Sequence, residues 1–130
     1  MMPVLLQTVP FRATPKKLFE MYVDSRRHSA STGAPAKICR KVRGTFRAFG
    51  GAIHGKNLAL VPGKRIVQLW RANHWKKDDW SVLILTFSRV AGGAQIDLAH
   101  VGVPEYDHKG VRQGWPKYYW KPWKKSSGGS

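Results

Sequence analysis

The side chains best suited to chemistry are five histidines, one cysteine and seven acids. The histidines are His28, His54, His74, His100 and His108. No two of them stand in an H-x-x-x-H or H-E-x-x-H arrangement, so a helical zinc site is not indicated. A lone cysteine, Cys39, excludes an internal disulfide framework and any cysteine-built zinc centre. A nucleophilic role would need a base beside it. His28 is the nearest in sequence, and of Arg40 and Lys41 only Lys41 would share its face of a strand. A buried structural thiol is therefore expected at Cys39. The acids form no evident catalytic pair, and Asp78-Asp79 sits beside Lys76-Lys77 in a turn, where solvation is the plain expectation. No nucleophile elbow, phosphate loop or dinucleotide fingerprint occurs. Gly50-Gly51 reads as a turn, because no helix start follows it to hold a phosphate. No enzyme activity, cofactor or metal is expected.

His100 is the histidine whose place carries information. In the stretch 94–103, Ile96, Leu98 and His100 share one face and Gln95, Asp97 and Ala99 the other. His100 therefore points inward, either as a hydrogen-bonded core residue or as a ligand-facing group. Aromatics say more. Six indoles, Trp70, Trp75, Trp80, Trp115, Trp120 and Trp123, crowd the second half. Some must build the core or wall a cavity, since each buries a large apolar body with one polar handle. Trp75 and Trp80 flank the Lys76–Asp79 turn. They suit either cross-strand packing at a hairpin end or an exposed binding patch.

The elements that would position these groups follow from period and punctuation. Val4 to Val9 is an apolar run, a first strand closed by Pro10. Thr14-Pro15 is a helix start, with Thr14 as cap and Pro15 in the first turn. Leu18, Phe19 and Tyr22 then give an apolar stripe. Asp24 or Ser25 caps a second short helix over Arg26–Ala30, which Gly33 and Pro35 end. From Ala36 the period is two. Segments near 36–42, 45–49, 52–61, 64–72, 80–90 and 94–103 read as strands, broken at Gly50-Gly51, Pro62-Gly63, Lys76–Asp79 and Gly92-Gly93. Connections this short favour hairpins, hence an antiparallel sheet. The run Val82-Leu83-Ile84-Leu85 predicts a strand covered on both faces for part of its length. From Tyr106 to Lys125, Asp107 is a candidate cap, and Val111, Trp115, Tyr118 and Tyr119 lie at helical spacing. Pro116 and Pro122 predict a kink or a restart. The apolar face of that helix needs a partner, and the sheet is the only large one. The expectation is an α+β domain: a curved antiparallel sheet of about six or seven strands around a C-terminal helix, with two small helices after the first strand. Such a sheet commonly leaves a cavity against its helix.

The length and charge set the remaining bounds. A chain of 130 residues with 42% apolar content suits a single globular domain, taken as 1–125. Residues 126–130, Ser-Ser-Gly-Gly-Ser, read as a flexible tail or expression remnant. Lys plus Arg is 23 against 7 acids, a formal charge of +16. Residues 1–60 hold 11 cations and 2 acids, and residues 61–130 hold 12 and 5, so the charge is spread rather than gathered on one arm. Non-specific polyanion binding at low salt is expected from that balance alone. No window reaches the roughly 18 apolar residues of a membrane span, and the N-terminus shows no secretory signal. A soluble, cytoplasmic protein without membrane association is the default.

Several segments together carry a resemblance. They are Pro10-Phe11-Arg12-Ala13-Thr14-Pro15-Lys16-Lys17-Leu18-Phe19, Thr32-Gly33-Ala34-Pro35-Ala36, Gly44-Thr45-Phe46, Leu60-Val61-Pro62-Gly63-Lys64-Arg65-Ile66-Val67-Gln68, Trp70-Arg71 and Gly114-Trp115-Pro116-Lys117-Tyr118-Tyr119-Trp120. In this order and spacing, over about residues 4–125, the chain resembles the activator-of-heat-shock-chaperone-ATPase family, within the helix-grip (START-like) superfamily. The resemblance implies the helix-grip fold. It further implies a non-catalytic domain that acts by binding a protein partner, the ninety-kilodalton heat-shock chaperone. In eukaryotic co-chaperones the similar domain is the C-terminal half, and a separate N-terminal half binds the chaperone middle domain. The superfamily also implies an alternative, a carrier or sensor of small apolar ligands. Gly50-Gly51-Ala52, Ala59, Ala72 and Lys121 depart from the family pattern toward small or positive residues. A third reading follows from them, an engineered binding module on this scaffold with a designed target. On these readings Trp70, His100, Trp115 and Tyr119 are the cavity candidates. Arg47, Arg71, Trp75 and Trp80 are the candidates for a partner surface.

Overall fold

The computed structural model describes residues 4–126. Its first strand, β1 (Leu5–Phe11), leads into helices α1 (Pro15–Val23) and α2 (Ser25–Thr32). Six further strands follow: β2 (Lys37–Ile38), β3 (Thr45–Ala48), β4 (Ile53–Val61), β5 (Arg65–Ala72), β6 (Ser81–Val90) and β7 (Gly93–Val101). They form one seven-stranded antiparallel sheet in the order β1-β7-β6-β5-β4-β3-β2. The curved sheet holds the C-terminal helical segment in its concavity. That segment is α3 (His108–Trp115), a π-helical turn (Pro116–Trp120) and α4 (Lys121–Ser126).

Local chemistry explains most boundaries. The Lys17 N–H donates to the Thr14 hydroxyl at 3.0 Å, and the Arg27 N–H donates to the Asp24 carboxylate at 3.1 Å, so both helices carry the caps expected of them. Gly33 ends α2 with φ 76°, a left-handed turn that glycine adopts without a steric penalty. Strand alternation sorts the sheet: Ile66, Gln68, Trp70, Leu83, Leu85, Phe87, Ile96, Leu98 and His100 are buried on the inner face. Gly55 is required by contact. A Cβ there would run into the Leu69 carbonyl and the Phe46 ring, where β4 approaches β5 closely.

Three expectations need correction. Pro10 does not close β1; the strand runs through it, with Pro10 opposite Gln95. β1 is an edge strand, where a residue lacking an N–H is tolerated. The strand expected over 36–42 is only Lys37–Ile38, and Cys39 lies just past it, exposed rather than buried. β6 is not covered on both faces: Leu83 and Leu85 are buried, whereas Val82 and Ile84 on the outer side stay half-buried. The interruption expected at Pro116 is present: α3 ends at Trp115 and a new α-helix starts at Lys121. The chain widens into a π turn, in which the Lys121 N–H donates to the Pro116 carbonyl five residues back, and helical dihedrals continue on both sides. Ser126 closes α4, and the rest of the expected tail, 127–130, lies outside the described residues.

Candidate functional site

The C-terminal segment brings its aromatics against both helices and the sheet. Trp123 is fully buried among Phe11, Tyr22, Tyr119 and Trp120. Trp115 stacks on Tyr119 and Trp120, with centroids 4.7 and 5.4 Å apart. Polar clamps fix the register. The Trp120 indole donates to the Gln7 side-chain carbonyl at 2.7 Å, and the Gln7 amide donates to the Arg112 carbonyl at 2.9 Å.

Two buried histidines are locked in this packing. The His28 Nδ1 donates to the Tyr22 carbonyl at 2.8 Å, so its Nε2 must accept, and it takes the Tyr119 hydroxyl at 2.9 Å. A second buried chain runs from the Tyr22 hydroxyl to the Gln68 carbonyl oxygen, then from the Gln68 amide to Asn57, and on to the Cys39 and Lys41 carbonyls. His100 is equally constrained. The Trp115 indole donates to its Nδ1 at 3.2 Å, which places the proton on Nε2. That proton goes to the Ser81 hydroxyl at 2.8 Å, which donates in turn to the Trp70 carbonyl at 3.0 Å. Burial, with the nearby His108 charge as a smaller cause, drives the His100 pKa down to about 3. Burial also lowers that of His28, partly offset by its hydrogen bond to the Tyr22 carbonyl. Both are neutral core residues near neutral pH, with both ring nitrogens engaged.

A cavity of about 410 Å³ remains between the β4–β5 end of the sheet and the last helix. Its walls include Phe49, Ile53, Trp70, Val111, Trp115, Tyr118 and Tyr119, and small residues, Ala52, Ala72, Gly110 and Gly114, leave the space open. Ala72 is thus a buried wall residue, not an exposed strand position. The rim is polar. His74 Nε2 lies 3.1 Å from the Asp107 carboxylate, which also accepts the Trp75 indole N–H at 2.7 Å. Of the four cavity candidates, Trp70, Trp115 and Tyr119 meet at this wall. His100 is not among its lining residues; it sits behind Trp70 and Trp115 and serves the core. Asp107 and His74 are not legible in the sequence as rim residues of this cavity. Asp107 stood out only as a cap, and nothing local to it signalled the Trp75 contact across 32 residues.

The partner-surface candidates divide. Arg47 is exposed and Trp80 is 40% exposed. Trp75 is 4% exposed and tied to Asp107, so it is a packing residue. Arg71 is also buried, and its guanidinium donates to the carbonyls of Trp75, Lys76, Lys77 and Asp79. It braces the β5–β6 loop, because those carbonyls lack strand partners. Among the described residues, no group of three or more His, Cys, Asp or Glu could hold a metal ion, and no helix is long and apolar enough to cross a membrane.

A curved antiparallel sheet closed on an aromatic C-terminal helix, with a cavity between them, defines the helix-grip class. The solved structures it resembles share that architecture. An HSP90 activator from Plasmodium falciparum matches with a TM-score of 0.82 and 23% identity over 91% of each chain. The Aha1 dimer from Colwellia psychrerythraea matches with a TM-score of 0.82 and 15% identity over 97% of this chain and 96% of that one. At these identities the likeness shows the fold. In sequence, residues 12–122 match the family described as "Activator of Hsp90 ATPase homolog 1-like protein", and the chain belongs to that family. Human "Activator of 90 kDa heat shock protein ATPase homolog 1" is 30% identical over 118 residues, 91% of this chain and 35% of that protein. The Dictyostelium discoideum homologue is 29% identical over 109 residues, 82% and 28% of the two chains. The chain thus spans about a third of the length of these relatives.

Proposed function

We propose that this domain is a non-catalytic binding module that engages the Hsp90 chaperone and stimulates its ATPase. The family match across residues 12–122 carries the reading. The site supports it from the other side: His28 and His100, the histidines drawn into the interior, are spent on structure. In low salt the domain is expected to raise the ATPase rate of purified Hsp90 in a saturable way, and added salt is expected to weaken the effect, because the charge of +16 contributes long-range attraction to an acidic surface. An unchanged rate at saturating domain, with no binding in low salt, would remove the proposal.

A second reading has its own observation. The cavity is apolar, and the rings of Trp70, Trp115 and Tyr119 form part of its wall. A flat apolar compound fits such a wall. A compound present at about a hundred times its dissociation constant adds roughly 2.7 kcal/mol to the native state. The melting temperature should rise with the compound, and Ala72→Leu, which fills the space, should cancel the rise. A flat melting temperature across a panel of such compounds counts against this reading.

A further inference from the structure

The helices occupy the inner face of the sheet, and the outer face carries a pattern of its own. Cross-strand pairing lines up Leu6, Ala99, Ile84, Val67 and Ala59 in one row and Val101, Val82 and Leu69 in the next. Val67, Leu69, Val82 and Ile84 are only half-buried, while Leu6 is 72% and Val101 41% exposed. A contiguous apolar band of this kind on a strongly charged chain marks a contact surface. Cations flank it. Arg47 lies opposite His54, which lies opposite Arg71; Lys56 extends the second row and Arg65 borders the first. His54 and Arg71 both meet the exposed Trp80 ring, at 5.8 and 5.5 Å. Among the described residues no ion pair engages Arg47, Lys56 or Arg65. Asp97, an acid on this face, accepts from Thr8 and Gln95 near the far edge.

We infer that this outer face docks an acidic protein surface whose apolar side chains cover the Val67–Ile84 band and whose carboxylates meet Arg47, Lys56 and Arg65. Charge complementarity selects the occupant. A second copy would set the same cations, and a charge of +16, against themselves. A nucleic acid would pair the cations and leave the apolar band against phosphates. The inference rests on the protein-binding reading above and assigns it a face.

The test is a titration of the full chain followed by backbone amide shifts. The main probe is an acidic peptide with Leu or Phe at alternate positions and Glu between them. Polyglutamate of equal charge, duplex DNA, phosphatidylserine vesicles and purified Hsp90 form the other arms. The peptide should shift Val67, Leu69, Val82 and Ile84, and polyglutamate should bind at least about tenfold more weakly. Ile84→Glu should weaken the peptide about tenfold or more, whereas Lys121→Glu on α4 should leave it unchanged. Shift mapping on the unsubstituted chain decides the matter even if Ile84→Glu fails to fold. Equal binding of peptide and polyglutamate, shifts centred on α3–α4, or tighter binding of DNA or vesicles to this face overturns the inference. The Hsp90 arm separates the two claims. Peptide docking here without any Hsp90 binding overturns only the chaperone reading. Hsp90 binding that leaves this face unshifted overturns only the inference.

Discussion

Trp115→Ala is expected to cost about 3–5 kcal/mol of folding stability, the usual range for truncating a large buried aromatic. Typical domains have only about 5–15 kcal/mol in total, so the variant should be close to unfolding at moderate temperature. The size of the effect follows from what the ring touches. Trp115 is 2% exposed, stacks on Tyr119 and Trp120, and lies 6.2 Å from Trp70 and 6.0 Å from His100. The cavity already beside it makes collapse into the vacated space difficult, because the walls there are small residues or rigid rings. Trp115→Phe separates the contributions. It keeps most of the apolar body and loses the indole N–H, leaving the His100 Nδ1 buried without its donor. That loss should cost about 1–3 kcal/mol. Urea unfolding of the three proteins gives both differences. Equal stability of wild type and Trp115→Ala would mean that the helix contributes nothing to the core.

The second large effect is acid sensitivity. Folding holds His100 neutral, with its pKa lowered from 6.5 to about 3 by burial and by His108. Between those values the unfolded chain binds more protons than the native one, so stability increases with pH across the window. The contribution is complete above about pH 6.5 and is lost progressively as pH falls toward 3. Each pH unit inside the window is worth about 1.4 kcal/mol, so the step from pH 6.5 to 5 should remove about 2 kcal/mol through His100. His28, also held neutral by burial, adds to the loss in the same direction. Most carboxylates titrate below pH 5, which leaves this interval largely to histidines. Urea unfolding at pH 7 and pH 5 measures the slope. His100→Phe should flatten it, whatever its effect on stability at pH 7. An unchanged midpoint in the wild type between these pH values contradicts a neutral, buried His100.

The sequence made the frame legible where local and tertiary preferences agree. Thr14-Pro15, Asp24 and Gly33 signal helix boundaries through bonds made within a few residues, and all three act as read. The alternation in β5, β6 and β7 reports one buried face, and that face is the core. The misreadings share a different origin. Pro10 looked like a stop because edge position is a property of the sheet, not of β1. Pro116 did mark an interruption, but the π form it takes was not legible, because that turn packs Tyr119 and Trp120 against residues far away in sequence. The successive apolar residues of β6 suggested cover on two sides, yet their outer members remain half-exposed on the band described above. At the site, the indoles at Trp70 and Trp115 and the ring of Tyr119 were visible as cavity walls. Asp107, His74, Phe49 and Tyr118 were not, because four separate elements bring them together. Arg71 and Trp75 were misplaced on the surface for a related reason. Nothing in the sequence announces that the β5–β6 loop folds back and uses an arginine to satisfy its carbonyls.

Every function considered above depends on the aromatic carboxyl end being an integral part of the sheet's inner layer. Native-state hydrogen exchange reads this residue by residue. The amides of Val111, Trp115, Tyr119 and Trp120 are expected to open only with β5, β6 and β7, at the free energy of global unfolding. Exchange of those amides through a separate, much cheaper opening, while the sheet stays protected, would contradict that dependence.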